Sequence, residues 1–282
     1  MQKKETQILA NGQEGDYVFG TYGAEIQRLG LQHRVWRPRT TDAWRRAGFT
    51  AGQILIDLGC GAGFATLDLA EIVGPTGQVI AIDRSPDFLQ IVQGEAKANH
   101  LHNITTHRVD FNSDDLPNVS ADGAYDRWVL GFLTNPREVL ERIANRLKPN
   151  GTIVIQEYFD YETLGPVTPS PIFEAFVQAV MKAWRAEGGE PNIARSILQW
   201  LDELNFEIVS LRPIVDVVLP DNYIWQWPKT FFALAPQRLI DLGFFSQNQA
   251  DEMRNEFAKI ERRGNVHIVT PALLEVIARK RG

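Results

Sequence analysis

Cysteine is nearly missing from this 282-residue sequence: Cys60 stands alone, beside only three methionines. One thiol forms no internal disulfide, so a disulfide-stapled secreted scaffold is excluded, as is a structural zinc centre built on several thiolates. Long apolar runs are also missing, and no stretch approaches the roughly 18–20 residues of a membrane-spanning helix. Nor is there an excess of basic residues. The formal net charge is −6, which disfavours a nucleic-acid partner. The opening segment, MQKKETQILANGQEGDYVF, has early lysines but no apolar stretch behind them, so no signal peptide is expected and a cytoplasmic setting is. Repeats and low-complexity tracts are absent, and no Gly-, Pro- or Ser-rich linker divides the chain, which is expected to fold as a single domain, 1–282.

What is present begins with a charge contrast. Between Arg28 and Arg46 lie six arginines (Arg28, Arg34, Arg37, Arg39, Arg45, Arg46) and one acid, Asp42. The default for such a run is a solvated face. The alternative is a grip on an anionic substrate or cofactor carboxylate, with Arg28 and Arg127 the candidate clamps. Residues 1–50 are expected to form a helical cover, helical around Tyr22–Leu29 and again around Thr41–Ala47. Tyr17 and Tyr22 would close it over the ligand.

From residue 51 to 160, β-branched runs alternate with helical ones. Strands are expected at Ile54–Leu58, Val79–Ile82, Ile104–Val109, Gly123–Asp126 and Thr152–Gln156. Helices are expected over Phe64–Val73, from Pro86 through Ala98, and behind Pro136. Ser85-Pro86-Asp87 carries the marks of a helix start: an N-cap, a first-turn proline and an acid. Strand–helix alternation with short connections specifies an α/β fold with a doubly wound, mostly parallel sheet and helices on both faces. Residues 161–282 contribute substrate-side helices (171–187, 194–204, 228–242, 246–263) and closing strands at Phe206–Leu211 and Leu273–Arg279.

The most informative segment is Ile54-Leu-Ile-Asp-Leu-Gly-Cys-Gly-Ala-Gly63. A buried strand ends at Asp57-Leu58, and Gly59, Gly61 and Gly63 turn into a helix at the carboxyl edge of the sheet, where open α/β sheets bind ligands. Asp83 ends the second strand, positioned to accept from a ribose diol. Asp110 ends the third, positioned for an adenine amino group. A dinucleotide site needs G-x-G-x-x-G with its diphosphate on the helix N-terminus. Here Phe64 occupies the last position, so an NAD(P)-dependent oxidoreductase is the weaker reading. S-adenosylmethionine, which has no phosphate, suits G-x-G-x-G better.

These residues, with Leu147-Lys-Pro-Asn-Gly-Thr152, resemble the class I S-adenosylmethionine-dependent methyltransferases, and within them the small-molecule branch that includes the ubiquinone and menaquinone C-methyltransferases. The resemblance is specific over about 51–160. It implies a Rossmann-like, seven-stranded sheet with helical insertions as a substrate cover, and methyl transfer to a small molecule, with S-adenosylhomocysteine as product. A non-catalytic S-adenosylmethionine-binding subunit is the alternative. The resemblance assigns Gly59 and Gly61 to the methionine part of the cofactor; Asp57 and Cys60 of the same turn are also expected to bind it, and Tyr22 to close over its methionine end. It assigns Asp83 to the ribose and Arg84, Asp110 and Phe111 to adenine, and it puts Asp126-Arg127-Trp128 beside the transferred methyl.

Two residues are candidate catalytic bases: His33 in the cover, whose bland reading is a solvent-facing histidine, and Glu157 at the end of the fifth strand. His100, His102 and His107 fall on the amino side of the sheet, and no metal-ligand set is read. Tyr223, Trp225 and Trp227 alternate, so in extended chain they would share one side. That suggests either core or an aromatic wall for the acceptor. The acceptor is expected to be aromatic or anionic, and the protein a monomer or a homodimer.

Overall fold

The computed structural model describes residues 23–282, so Tyr17 and Tyr22 lie outside the described residues. Helix α1 (Gly23–Ala47) leads into β1 (Ile54–Leu58), α2 (Phe64–Val73), β2 (Gln78–Asp83), α3 (Pro86–Ala98) and β3 (Ile104–Arg108). Then come β4 (Ala121–Arg127), α4 (Pro136–Arg146), β5 (Leu147–Asp160), α5 (Pro171–Ala186), α6 (Ala194–Glu203), β6 (Phe206–Ile214), α7 (Gln226–Asp241), α8 (Gln247–Arg263) and β7 (Ala272–Lys280). The seven strands form one sheet in the order β3-β2-β1-β4-β5-β7-β6. The first five run parallel, and β7 inserts antiparallel between β5 and β6. The order reverses between β1 and β4, which opens a crevice at the carboxyl ends of β1, β2 and β4. A small three-stranded sheet (Gly165–Pro166, Val217–Val218, Ile268–Val269) braces the outer layer.

Alternate residues of the buried strands serve opposite faces. Leu55, Val79 and Tyr125 pack under α1 and α2 with Trp44 and Leu69. Ile56, Ile80 and Ala124 pack under α4 and α6 with Leu140, Ile143 and Ile197. Helices α5, α7 and α8 build a third core from Phe173, Phe176, Trp225, Phe232, Phe245 and Met253. The Ser85 hydroxyl caps α3 by accepting from the Phe88 N–H at 3.3 Å, with Pro86 in the first turn.

Three expectations change. The cover is one 25-residue helix, not two, and it runs through Pro38. Its buried stripe of Val35, Trp36, Thr40, Ala43 and Trp44 keeps helical spacing across the proline, and that burial outweighs the lost hydrogen bond. Strand β5 extends well beyond Thr152–Gln156, because the long antiparallel partner β7 pairs with it from Thr152 to Asp160. Finally, Tyr223–Trp225 is a single 3-10 turn that feeds α7, so the Tyr223, Trp225 and Trp227 alternation is not extended. Tyr223 is exposed, Trp225 is buried against Phe257, and only Trp227 turns toward the sheet's carboxyl edge.

Candidate cofactor and acceptor site

The crevice at the switch point holds a cavity of about 260 Å³. Asp57, Gly59, Cys60 and Gly61 line it from the β1–α2 turn, Asp83 and Arg84 from the end of β2, and Asp110 and Phe111 from the end of β3. Arg127 and Trp128 line it from the end of β4. Sequence reasoning had named every one of these residues; its remaining cofactor candidate, Tyr22, lies outside the described residues.

The turn is built for close approach. Gly59 has φ +53°, and a Cβ there would meet Val129 Cγ2 at 2.4 Å. Gly61 has φ +52°, and a Cβ there would enter open space. Its N–H donates to Asp83 Oδ2 at 2.8 Å, while Oδ1 accepts from the Ser85 N–H at 2.9 Å. Both Asp83 oxygens are thus fixed by backbone donors, and the carboxylate keeps lone pairs for a diol. Burial pushes its pKa up, and these backbone N–H groups and the nearby Arg84 charge pull it back. Asp57 accepts from the Thr66 hydroxyl at 2.5 Å, and burial pushes its pKa up to about 7. Burial also raises the Cys60 thiol, with Asp83 and Asp57 adding to the effect, so Cys60 is a protonated wall group and not a nucleophile. Asp110 Oδ1 accepts from the Asn112 N–H at 2.9 Å, which holds the β3 turn open toward the cavity. Phe64 fills the third-glycine position by packing on Gly30 of α1, where a Cβ would lie 2.9 Å from its ring. A cradle with open space over Gly61, a diol acceptor at Asp83 and ring faces at Phe88 and Phe111 fits an adenosyl amino acid.

The two base candidates are placed elsewhere. His33 is 5% exposed, not solvent-facing, and does not border the cavity. Its Nδ1 lies 3.3 Å from Arg127 Nη2, and its Nε2 lies 3.1 Å from Asp68 Oδ2. A guanidinium only donates, so Nδ1 accepts and Nε2–H donates: the imidazole is neutral and both nitrogens are engaged. Burial lowers its pKa against the opposing pull of Asp68. His33 therefore orients Arg127, and no free nitrogen is left to take a proton. Thr40 supports the same guanidinium, with Arg127 Nη1 donating to its hydroxyl at 3.3 Å.

Glu157 is fully buried beneath the turn after β4, where Oε1 accepts from the Gly131 N–H at 3.2 Å. Asp126, also fully buried, lies beside it. Burial pushes both pKa values up, that of Glu157 to about 7 and that of Asp126 well above the carboxylate range. Asp126 Oδ1 and Oδ2 and Glu157 Oε2 have no hydrogen-bond partner among the described residues, and burial favours the protonated form of both carboxyls. This pair braces the 128–131 turn from below, and neither carboxyl reaches the cavity.

The arginine run is not a bare solvated face. Arg39 pairs with Asp216 at 2.6 Å, Arg46 with Asp42 and Glu275, and Arg37 with Asp68 at 2.7 Å. These bonds fasten α1 to α2, to β7 and to the segment after β6. Arg28 holds Glu25 and Gln32 and borders a second cavity.

That second cavity lies against the first, and Gln32, Trp128, Phe132 and Trp184 border both. Rings dominate its wall. Trp128 stacks on Tyr158 (centroids 5.7 Å) and on Trp227 (5.8 Å), and Phe132 stacks on Trp184 at 4.2 Å. Sequence reasoning missed Gln32, Phe132, Trp184 and Glu187 as lining residues. The one trace was periodic: Phe173, Phe176, Val177, Val180 and Trp184 form a helical stripe whose last two members reach the cavity.

The fold and site define a Rossmann-like protein whose crevice takes S-adenosylmethionine. Residues 49–196, more than half of the chain, match the methyltransferase-domain family, and the chain belongs to it as a class I S-adenosylmethionine-dependent methyltransferase. It is 35% identical to a demethylmenaquinone methyltransferase of Lactococcus lactis over 175 residues, 58% of this chain and 65% of that protein. The match therefore spans less than two thirds of the relative's own length. Two solved structures share the fold. A putative methyltransferase from Bacillus halodurans has TM-score 0.57 and 15% identity, covering 86% of this chain and 98% of that one. An S-adenosylmethionine-dependent methyltransferase from Aquifex aeolicus has TM-score 0.51 and 18% identity, covering 68% and 92%.

Proposed function

We propose that this chain methylates a small, ring-bearing acceptor seated in the second cavity. The observation that carries the reading is the shared wall: Trp128, Phe132 and Trp184 border both the cofactor cavity and an adjoining pocket walled by aromatic side chains. The resemblance to a demethylmenaquinone methyltransferase supports a ring-bearing acceptor.

S-adenosylmethionine supplies an activated methyl: a nucleophile of the acceptor forms a bond to that carbon as the carbon–sulfur bond breaks, and the electron pair stays on sulfur. No covalent enzyme intermediate is needed, so the protein aligns the reactants and excludes water. Alignment of this kind lowers a barrier by up to about 7–11 kcal/mol in favourable cases. Gly59 and Gly61 give the backbone close access to the methionine part. Asp83 holds the ribose hydroxyls, and Asp110, Phe111 and Arg84 bind the adenine. Arg127, fixed by His33 and Thr40, answers the cofactor carboxylate. Trp128 and its ring partners hold the acceptor plane, and their aromatic faces stabilise a sulfonium.

No described helix is long and apolar enough to cross a membrane. A cytoplasmic setting and a small-molecule partner complete the proposal. The test is incubation of the protein with methyl-labelled S-adenosylmethionine and a cell extract, followed by size fractionation. The reading expects label in the low-mass organic fraction; label confined to protein or nucleic acid refutes it.

A further inference from the structure

Beyond the acceptor cavity lies a third, smaller one that no step above uses. Phe132, Val180, Trp184 and Phe231 form a wall common to the second and third cavities, and Leu239 and Arg238 of α7 close the far side. Because Phe132 and Trp184 border all three spaces, the cavities are adjacent, with the third on the α5–α7 side. The third cavity is apolar except at one point. Arg238, half-buried on α7, lines it, and its Nε, the one buried nitrogen of the group without a hydrogen-bond partner among the described residues, is left unanswered. No carboxylate of the described residues lines this cavity or the second. The nearest acid in sequence, Asp241, is engaged elsewhere, accepting from Gln237 Nε2 at 3.0 Å.

Arginine stays charged at any physiological pH, and a buried charged N–H without an acceptor is costly unless something answers it. Its flat donor fork suits a carboxylate. The space, about 30 Å³, exceeds the roughly 10–15 Å³ that one water requires, so it suits a two-oxygen head group and not a second ring.

We infer that Arg238 forms an anion-recognising end of the acceptor site and that the acceptor carries a carboxylate, separated from its reacting atom by an apolar spacer that passes the Phe132–Trp184 pair. The inference rests on the reading of the second cavity as the acceptor site, and it adds the charge and polarity of the ligand's far end.

The test uses the full chain saturated with S-adenosylhomocysteine. The probe is 6-phenylhexanoate and the control its carboxamide, titrated by tryptophan fluorescence. The carboxylate should bind at least tenfold more tightly than the amide, and Arg238→Met should bring the ratio to about one while S-adenosylhomocysteine affinity stays unchanged. Trp227→Leu should weaken both probes alike. Equal binding of carboxylate and amide, or a preference that survives Arg238→Met, overturns the inference. Probe binding insensitive to Trp227→Leu instead overturns the acceptor-site reading beneath it.

Discussion

Replacing either of two glycines in the β1–α2 turn by alanine separates the structural from the ligand-facing role of this segment. Gly59 and Gly61 have nearly the same positive φ, +53° and +52°, so both alanine variants bear the left-handed strain of about 1–2 kcal/mol. Their surroundings differ. At Gly59 the added methyl meets Val129 at 2.4 Å, which adds an overpacking cost of about 1–3 kcal/mol. At Gly61 it meets no protein atom within 4 Å and occupies the cavity margin. Gly59→Ala should therefore lose about 2–5 kcal/mol, and at about 2–4 °C per kcal/mol its unfolding midpoint falls by roughly 4–20 °C. Gly61→Ala should lose only about 1–2 kcal/mol of stability. If the methionine part of the ligand occupies that space, the methyl should weaken S-adenosylhomocysteine binding by about 1–3 kcal/mol, roughly 5- to 150-fold. Thermal unfolding and ligand titration of both variants check this. A Gly61→Ala protein that binds S-adenosylhomocysteine as tightly as the parent refutes the placement of ligand over that turn, and equal stability of the two variants refutes the packing argument.

Asp83→Ala removes a carboxylate that faces the cavity and should weaken S-adenosylhomocysteine by about 1.5–3 kcal/mol, the scale of a charged hydrogen bond; unchanged affinity removes Asp83 from the site. Trp227→Leu should lower methylation of the acceptor at least tenfold and leave S-adenosylhomocysteine affinity intact, because Trp227 borders only the second cavity; a parallel loss of cofactor binding contradicts the separation of the two spaces. Stability should fall as pH rises. Asp57 and Glu157 keep their protons in the fold up to about pH 7, whereas unfolded chain releases them near 3.8 and 4.5, so the unfolded state binds fewer protons across that window. The unfolding midpoint should drop by several degrees between about pH 5 and pH 7.5, and Glu157→Gln should flatten the slope. A midpoint that rises over this range contradicts the buried, protonated assignment.

The cofactor half was legible because its information is local. Asp57, Gly59, Gly61 and Asp83 sit at strand ends that hydrophobic runs mark, and the strand order follows from alternation with helices. The acceptor half was not, because its walls come from segments far apart in sequence: Gln32 on α1, Phe132 after β4, Trp184 on α5 and Trp227 on α7. The misjudged positions share a cause. The stretch between Leu29 and Thr41 reads as a gap between two helices until the buried stripe on both sides of Pro38 is seen to continue through it. His33 reads as a free imidazole until Asp68, on the next helix, and Arg127 take its two nitrogens. Glu157 reads as a strand-end acid until the 128–131 turn folds over it. In each case a tertiary partner decides the role, and no local pattern reports that partner.

The central claim is that the crevice at the β1–β4 switch point binds S-adenosylmethionine, and isothermal titration of the full chain tests it most directly. S-adenosylhomocysteine should bind one per chain at micromolar strength, with no heat from NAD at the same concentrations. Binding of NAD with no response to S-adenosylhomocysteine would contradict the account.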